Sequence, residues 1–164
     1  MKTVHRFSFW LVLFFMIGSV SSLSAGQSIP AIPFTLKTLE GKIISTDSLK
    51  GKPTLVMFWA SWCHVCQQEL PHVKELFEQK GEKLQFVTIG FSDKEENIRG
   101  YVQSHPGTFI FPVAYDQGNV VSEAYRIRGT PTFFLINAKG DLIAGHLGGG
   151  FMENPMFRNF FSSL

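Results

Sequence analysis

The chain predicts an α/β domain, with a central mixed sheet flanked by helices. Three observations carry that expectation. Apolar strand-like runs alternate with helix-spaced segments between residues 54 and 125, the order in which helical crossovers join parallel strands. Two later apolar runs flank Asn137-Ala-Lys-Gly-Asp141, a turn-forming link that implies an antiparallel closing hairpin. About 139 residues remain after an export-like N-terminal segment is set aside, enough for one domain with one core.

The elements follow in chain order. Ile32 to Lys37 and Lys42 to Ser45 flank Thr38-Leu-Glu-Gly41 and read as a hairpin ahead of the main fold. Lys50-Gly-Lys-Pro53 turns the chain into the strand Thr54–Trp59. From Cys63 to about Lys80, Val65, Leu70, Val73, Leu76 and Phe77 recur at helical spacing. Pro71 is expected to kink that helix and Gly81 to cap its C-terminus. Leu84 to Gly90 is a continuous apolar run, the pattern of a strand buried on both faces. Ser92 is the expected N-cap of a helix over about Asp93–Ser104, whose first turn is acidic. A short strand at Phe111–Ala114 and a short helix at Asn119–Tyr125 come next. Thr132–Ile136 and Leu142–His146 form the closing hairpin. A last helix starts near Glu153, with Met156, Phe157, Phe160 and Phe161 on its buried side.

Residues 1–25 read as a secretory signal peptide. Lys2 and Arg6 supply the positive end, Phe7–Ile17 is apolar apart from Ser8, and Gly18–Ala25 is small and polar. The apolar run is short for a membrane span of ~20 residues, and an uncleaved anchor is the rival reading. Membrane association is expected only in that rival case. Either way residues 26–164 lie outside the cytoplasm, periplasmic or otherwise extracytoplasmic, where thiols form stable disulfides. Removing Lys2 and Arg6 takes the net charge from +2 to zero. No basic patch is left to suggest nucleic acid or anionic lipid as a partner.

Both cysteines of the chain lie in Trp62-Cys63-His64-Val65-Cys66, directly after the first main strand. A strand holds such a pair rigidly, and the helix that follows turns its unpaired N–H groups and positive dipole end towards Cys63. Thiolate is thereby favoured over thiol, which suits disulfide exchange. Cys66, one turn further in, can resolve a mixed disulfide formed at Cys63. A zinc site would need four ligands, and no second Cys pair or spaced His-Cys cluster is present. A purely structural disulfide across so short a loop would remove little chain entropy.

A second motif, Ile127-Arg-Gly-Thr-Pro-Thr132, puts Pro131 immediately before an apolar strand. Together with Trp59-Ala-Ser-Trp-Cys-His-Val-Cys66, it resembles the thioredoxin superfamily, and within it the exported TlpA/ResA-like branch. The likeness runs from about Ile32 to the C-terminus. It implies a thioredoxin-like fold with an N-terminal β-hairpin extension, and a thiol–disulfide oxidoreductase. Cys63 would be the nucleophile and Cys66 the resolving thiol. Pro131 would be cis and face the sulfurs, with the Thr130 backbone offering hydrogen bonds to an extended substrate segment. Partners would be protein dithiols or disulfides and a redox partner protein, with cytochrome c maturation among the branch's roles. No metal, flavin or nucleotide cofactor is implied.

The chain departs from the family pattern in three places. Met57 stands where thioredoxin itself carries a buried Asp. Ser92, with Asp93 adjacent, stands where many relatives in the branch carry a Glu. His64-Val65 replaces the common dipeptide ending in Pro, which leaves the exchange chemistry intact and its direction open. His64 has two readings, an imidazolium that stabilises the Cys63 thiolate or a solvated side chain turned away. Trp59 and Trp62 are expected to pack around the site, and Glu69 to be structural rather than a general base. His72, His105 and His146 lack metal-ligand spacing to the cysteines and are expected at the surface or in packing. The rival class is a periplasmic Cu(I)-binding protein holding the metal with Cys63, His64 and Cys66.

Overall fold

The computed structural model describes residues 29–164. The export-like segment lies outside the described residues, and within them no helix is long and apolar enough to cross a membrane. The chain order is β1 Ile29–Pro30, β2 Thr35–Lys37, β3 Ile43–Ser45, β4 Thr54–Trp59, α1 His64–Lys80, β5 Gln85–Gly90, α2 Glu95–Ser104 and β6 Val113–Tyr115. There follow α3 Val120–Ala124, β7 Thr132–Ile136, β8 Asp141–Leu147 and α4 Pro155–Ser163. Six strands form one sheet in the order β1-β8-β7-β4-β5-β6, and β2 and β3 pair separately.

β4 runs through the middle of the sheet with all six residues buried. Side chains alternate across a strand. Leu55, Met57 and Trp59 therefore enter one core, and Val56 and Phe58 the other. The first core takes Cys66, Leu70, Val73 and Leu76 from α1, Ile98 from α2, and Phe157 and Phe161 from α4. Phe133 stacks on Phe151 there, ring centroids 4.3 Å apart. The second core is covered by Val121 of α3 and by Ala31, Phe34, Leu36 and Leu49 of the N-terminal segment and hairpin. The hairpin also covers the β6 edge, through a Thr38–Ala114 bridge and a Leu39 N–H donating to the Val113 carbonyl at 2.8 Å. That removes an exposed row of strand donors and acceptors.

Several sequence expectations are corrected. Parallel pairing holds for β4–β5 and β5–β6, but β7 is antiparallel to β4. The five residues of α3 rise only about 7 Å, too little to carry the chain back along a strand of roughly 17 Å. The chain therefore enters β7 from the end at which it left β6. Helix α1 continues through Pro71 as one 17-residue element. Pro71 is exposed, so water can take up the carbonyl it leaves unpaired. Gly81 ends α1 in the right-handed region (φ −58°) rather than as a left-handed cap. Of the four residues expected on the buried side of α4, Phe157 and Phe161 are buried and Phe160 is half-buried, but Met156 is 59 % exposed. Pairing of β1 with β8 had no sequence signal, because two residues are too few for an alternation.

Candidate active site

The site forms where β4 hands the chain to α1. Cys63 is the N-cap residue, in extended conformation, and its Sγ accepts the Cys66 N–H at 3.0 Å. A helix N-cap ordinarily uses an oxygen for this contact. Here a sulfur occupies the most electropositive point of the helix. Cys63 and Cys66 are joined as a disulfide, with Cα atoms 5.2 Å apart. Cys63 keeps 5 % of its surface exposed and Cys66 none.

The loop before β7 closes over the sulfurs. The Thr130–Pro131 peptide is cis. The Thr130 carbonyl oxygen lies 3.5 Å from Cys63 Sγ, and Thr130 Oγ1 lies 3.1 Å from Cys66 Sγ. The same hydroxyl donates to the Phe58 carbonyl at 3.2 Å, which ties the loop to the end of β4. On the far side Gly148 N–H donates to the Pro131 carbonyl at 2.8 Å. Cys63, Cys66, Thr130 and Pro131, far apart in sequence, thus share one site.

A set of contacts absent from the sequence reading holds the turn 60–62. Ser61 donates both its backbone N–H and its hydroxyl to Asp93 Oδ2, at 2.9 and 2.5 Å. The other oxygen of Asp93 accepts from Lys94 N–H and Asn97 Nδ2. Partial burial pushes the Asp93 pKa upwards, but the bonds from Ser61, Asn97 and Lys94 together outweigh it and hold the group below 3.8. Gln67 Nε2 donates back to the Ser61 carbonyl at 2.9 Å. Trp62 Nε1 donates to the Ser92 carbonyl at 3.0 Å, while the Trp62 ring stays 60 % exposed.

Ser92 is therefore not the cap of α2. It sits at φ +52°, its N–H held by Asn119 Oδ1 at 2.8 Å, and α2 begins after Lys94. Asn119 is itself left-handed, φ +61°. Ser92 is the residue held against its own preference there, since Asn tolerates the left-handed region and its side chain fixes the Ser92 N–H. The only sequence hint was the pair of small polar residues, Ser92 and Asp93, after an apolar strand.

The remaining expected residues separate clearly. Trp59 is fully buried and packs on Phe109 and Tyr101, at 5.1 and 5.7 Å, in the same core as both cysteines. His64 is exposed, and its Nε2 lies 3.3 Å from Gln68 Nε2, one turn along the helix. Glu69 is buried, and its Oε1 accepts Gly150 N–H at 2.8 Å, which pins the glycine run after β8. Its Oε2 has no hydrogen-bond partner among the described residues. His105 stacks on Tyr101, and His146 packs near Phe133 and Phe157 while bonding the Gly149 carbonyl. Among the described residues no group of three or more His, Cys, Asp or Glu side chains converges as a metal site.

A thioredoxin-like fold carrying a cysteine pair at the end of its central strand, facing a cis-proline loop, defines a thiol–disulfide oxidoreductase. Comparison with known proteins agrees. The model of the AhpC/TSA family matches residues 25–144, and the chain belongs to that family. It is 33 % identical over 131 residues to the thiol-disulfide oxidoreductase ResA of Halalkalibacterium halodurans, covering 79 % of this chain and 72 % of that protein. Among solved structures it resembles the exposed lipoprotein thioredoxin of Streptococcus pneumoniae, with TM-score 0.69 and 27 % identity over 81 % of this chain and 100 % of the other. The fold also matches a putative thiol:disulfide interchange protein DsbE from Chlorobium tepidum, with TM-score 0.75 and 23 % identity, covering 84 % and 96 % of the two chains.

Proposed function

We propose that the protein is exported and exchanges its Cys63–Cys66 pair with cysteines of other proteins. In the reductive direction the Cys63 thiolate attacks a substrate disulfide. A new S–S bond forms to Cys63, and the second substrate sulfur leaves as a thiolate. Cys66, as thiolate, then attacks Cys63, releasing the substrate as a dithiol and leaving the Cys63–Cys66 disulfide. Two electrons pass to the substrate, and the reverse sequence oxidises a substrate dithiol. Thr130 and Pro131 line the approach, with the Thr130 backbone as the strand-like partner of the incoming segment. Trp62 shields the exposed side of Cys63.

The observation that carries this reading is the sulfur of Cys63 capping α1 beneath the Thr130 carbonyl, with Cys66 wholly buried behind it. Mixed-disulfide trapping tests it. Cys66→Ser is expected to accumulate covalent complexes with partners, and Cys63→Ser almost none; equal trapping would reverse or remove the assignment.

The export reading, with residues 1–25 as the signal and 26–164 as the catalytic domain, is supported by the likeness to an exposed lipoprotein thioredoxin. N-terminal sequencing of the protein from an expressing host tests it. The substrate reading extends to thiol pairs of c-type cytochrome precursors, in keeping with the TlpA/ResA-like resemblance. Reduction of an oxidised Cys-x-x-Cys-His peptide tests that extension. His64 is the proposed modulator of direction, and His64→Ala compared with the parent in glutathione equilibria measures its contribution to the potential.

A further inference from the structure

Beside the two sulfurs lies exposed apolar surface, and the segment that leads to Thr130 carries exposed cations. Trp62, Val65 and Leu147 are 60, 40 and 59 % exposed. Trp62 precedes Cys63, and Val65 precedes Cys66. Leu147 stands opposite Thr132 in the β7–β8 register, one residue from Pro131. Its Cδ1 lies 3.2 Å from where a Cβ on Gly129 would sit, and Val65 Cγ1 lies 3.1 Å from the same point on Gly149. A side chain at either glycine would crowd this wall, so the two positions keep the apolar surface open beside the Thr130 loop.

The cationic side comes from the segment that leads to Thr130. Tyr125 and Ile127 turn inwards and pack on the second core, which leaves the alternate residues Arg126 and Arg128 exposed. Arg126 is left-handed, φ +53°, where its N–H donates to the Glu123 carbonyl at 2.9 Å. Neither guanidinium is among the ion pairs or side-chain hydrogen bonds of the described residues. Among the described residues no carboxylate pairs with either arginine. The molecule outside the export-like segment has no net charge, so this is a local asymmetry in the segment that leads to Thr130, whose carbonyl lies 3.5 Å from Cys63 Sγ.

We propose that the partner segment is an extended stretch with apolar residues beside its cysteine and an acidic residue towards Arg126 and Arg128. The inference rests on the exchange reading given above and names the kind of segment that site selects. Guanidiniums with no ion pair of their own have none to break on binding, and they attract a carboxylate during approach. The apolar wall then buries the residues flanking the partner cysteine, and the Thr130 backbone aligns the segment for attack.

The test uses the reduced full chain and two synthetic peptides carrying one cysteine as a mixed disulfide with thionitrobenzoate. Both have the same apolar neighbours, and they differ only in Asp or Lys on the flanks. Release of thionitrobenzoate is followed by stopped flow. At low salt the Asp peptide is expected to react about tenfold faster than the Lys peptide, and the gap to shrink as salt screens the charges. The double variant Arg126→Glu/Arg128→Glu should invert the preference, and Arg126→Gln/Arg128→Gln should abolish it. All forms should reduce uncharged 2-hydroxyethyl disulfide at the same rate, because neither arginine touches the sulfurs. Equal rates for the two peptides, or a preference that survives the double variant, overturns the proposal. Failure of the parent protein to reduce 2-hydroxyethyl disulfide at all overturns the exchange reading itself, and this proposal with it.

Discussion

Asp93 shows how a single side chain sets the geometry of a site it does not touch. Its four accepted hydrogen bonds join the turn before Cys63 to the start of α2. Loss of hydrogen bonds to a charged, partly buried acceptor costs about 1–3 kcal/mol, the expected destabilisation for Asp93→Ala in urea unfolding at neutral pH. The pH dependence follows from the direction of the shift. A carboxyl whose folded pKa is lowered stabilises fully above its unfolded value, near 3.8, and that stability is lost as pH falls through the lower folded pKa. The gap between the variant and the parent should therefore close in acid, below about pH 4. A gap that stays constant from pH 7 to pH 3 would show that the lost stability does not come from the carboxylate. Thiol exchange by the variant should slow as well, since the carboxylate no longer holds Ser61 in the turn before Cys63.

At the scale of elements, the contact between β5 and α2 decides where Asp93 stands. Gly90 ends β5 against the fully buried Ile98, and a Cβ there would lie 2.9 Å from two atoms of the Ile98 side chain. Gly90→Ala is expected to cost about 1–3 kcal/mol through overpacking. Ile98→Ala should cost roughly 2–5 kcal/mol through the cavity it leaves. In the double variant the new methyl enters the space that Ile98 vacated. Its cost should fall short of the sum by at least about 0.5 kcal/mol in a denaturation cycle. Strict additivity would place the two residues out of contact. Helix α1 needs no such fitting, because the apolar part of its buried face, Cys66, Leu70, Val73 and Leu76, follows helical periodicity beside the buried Glu69, and Pro71 falls on the exposed side.

The whole molecule is a sheet between two cores, and the C-terminal helix closes the one that holds the cysteines. Phe157 is fully buried against Phe151 and Phe161, whereas its neighbour Met156 lies in solvent. Phe157→Ala should therefore lose about 3–5 kcal/mol, and Met156→Ala should stay within about 0.5 kcal/mol of the parent. Chemical denaturation of both variants checks this. Comparable losses would mean that α4 packs on its other face.

Local features of the sequence determined the strand Thr54–Trp59 and the strand Thr132–Ile136 to the residue, the helix behind Cys63, the hairpin and the two motifs of the site. Each is written in adjacent residues, as an apolar alternation, a helical spacing, a turn or a short motif, and such signals survive without knowledge of the rest of the chain. Tertiary structure alone decided the antiparallel entry of β7, the β1–β8 pair, the left-handed turn at Ser92 and the Asp93–Ser61 link. These depend on residues far apart in sequence meeting at set distances, and on whether a short helix can carry the chain back across a sheet. The same reason separates Met156 from Phe157. Both fit the apolar pattern of α4, and only the packed core chooses which one it can hold.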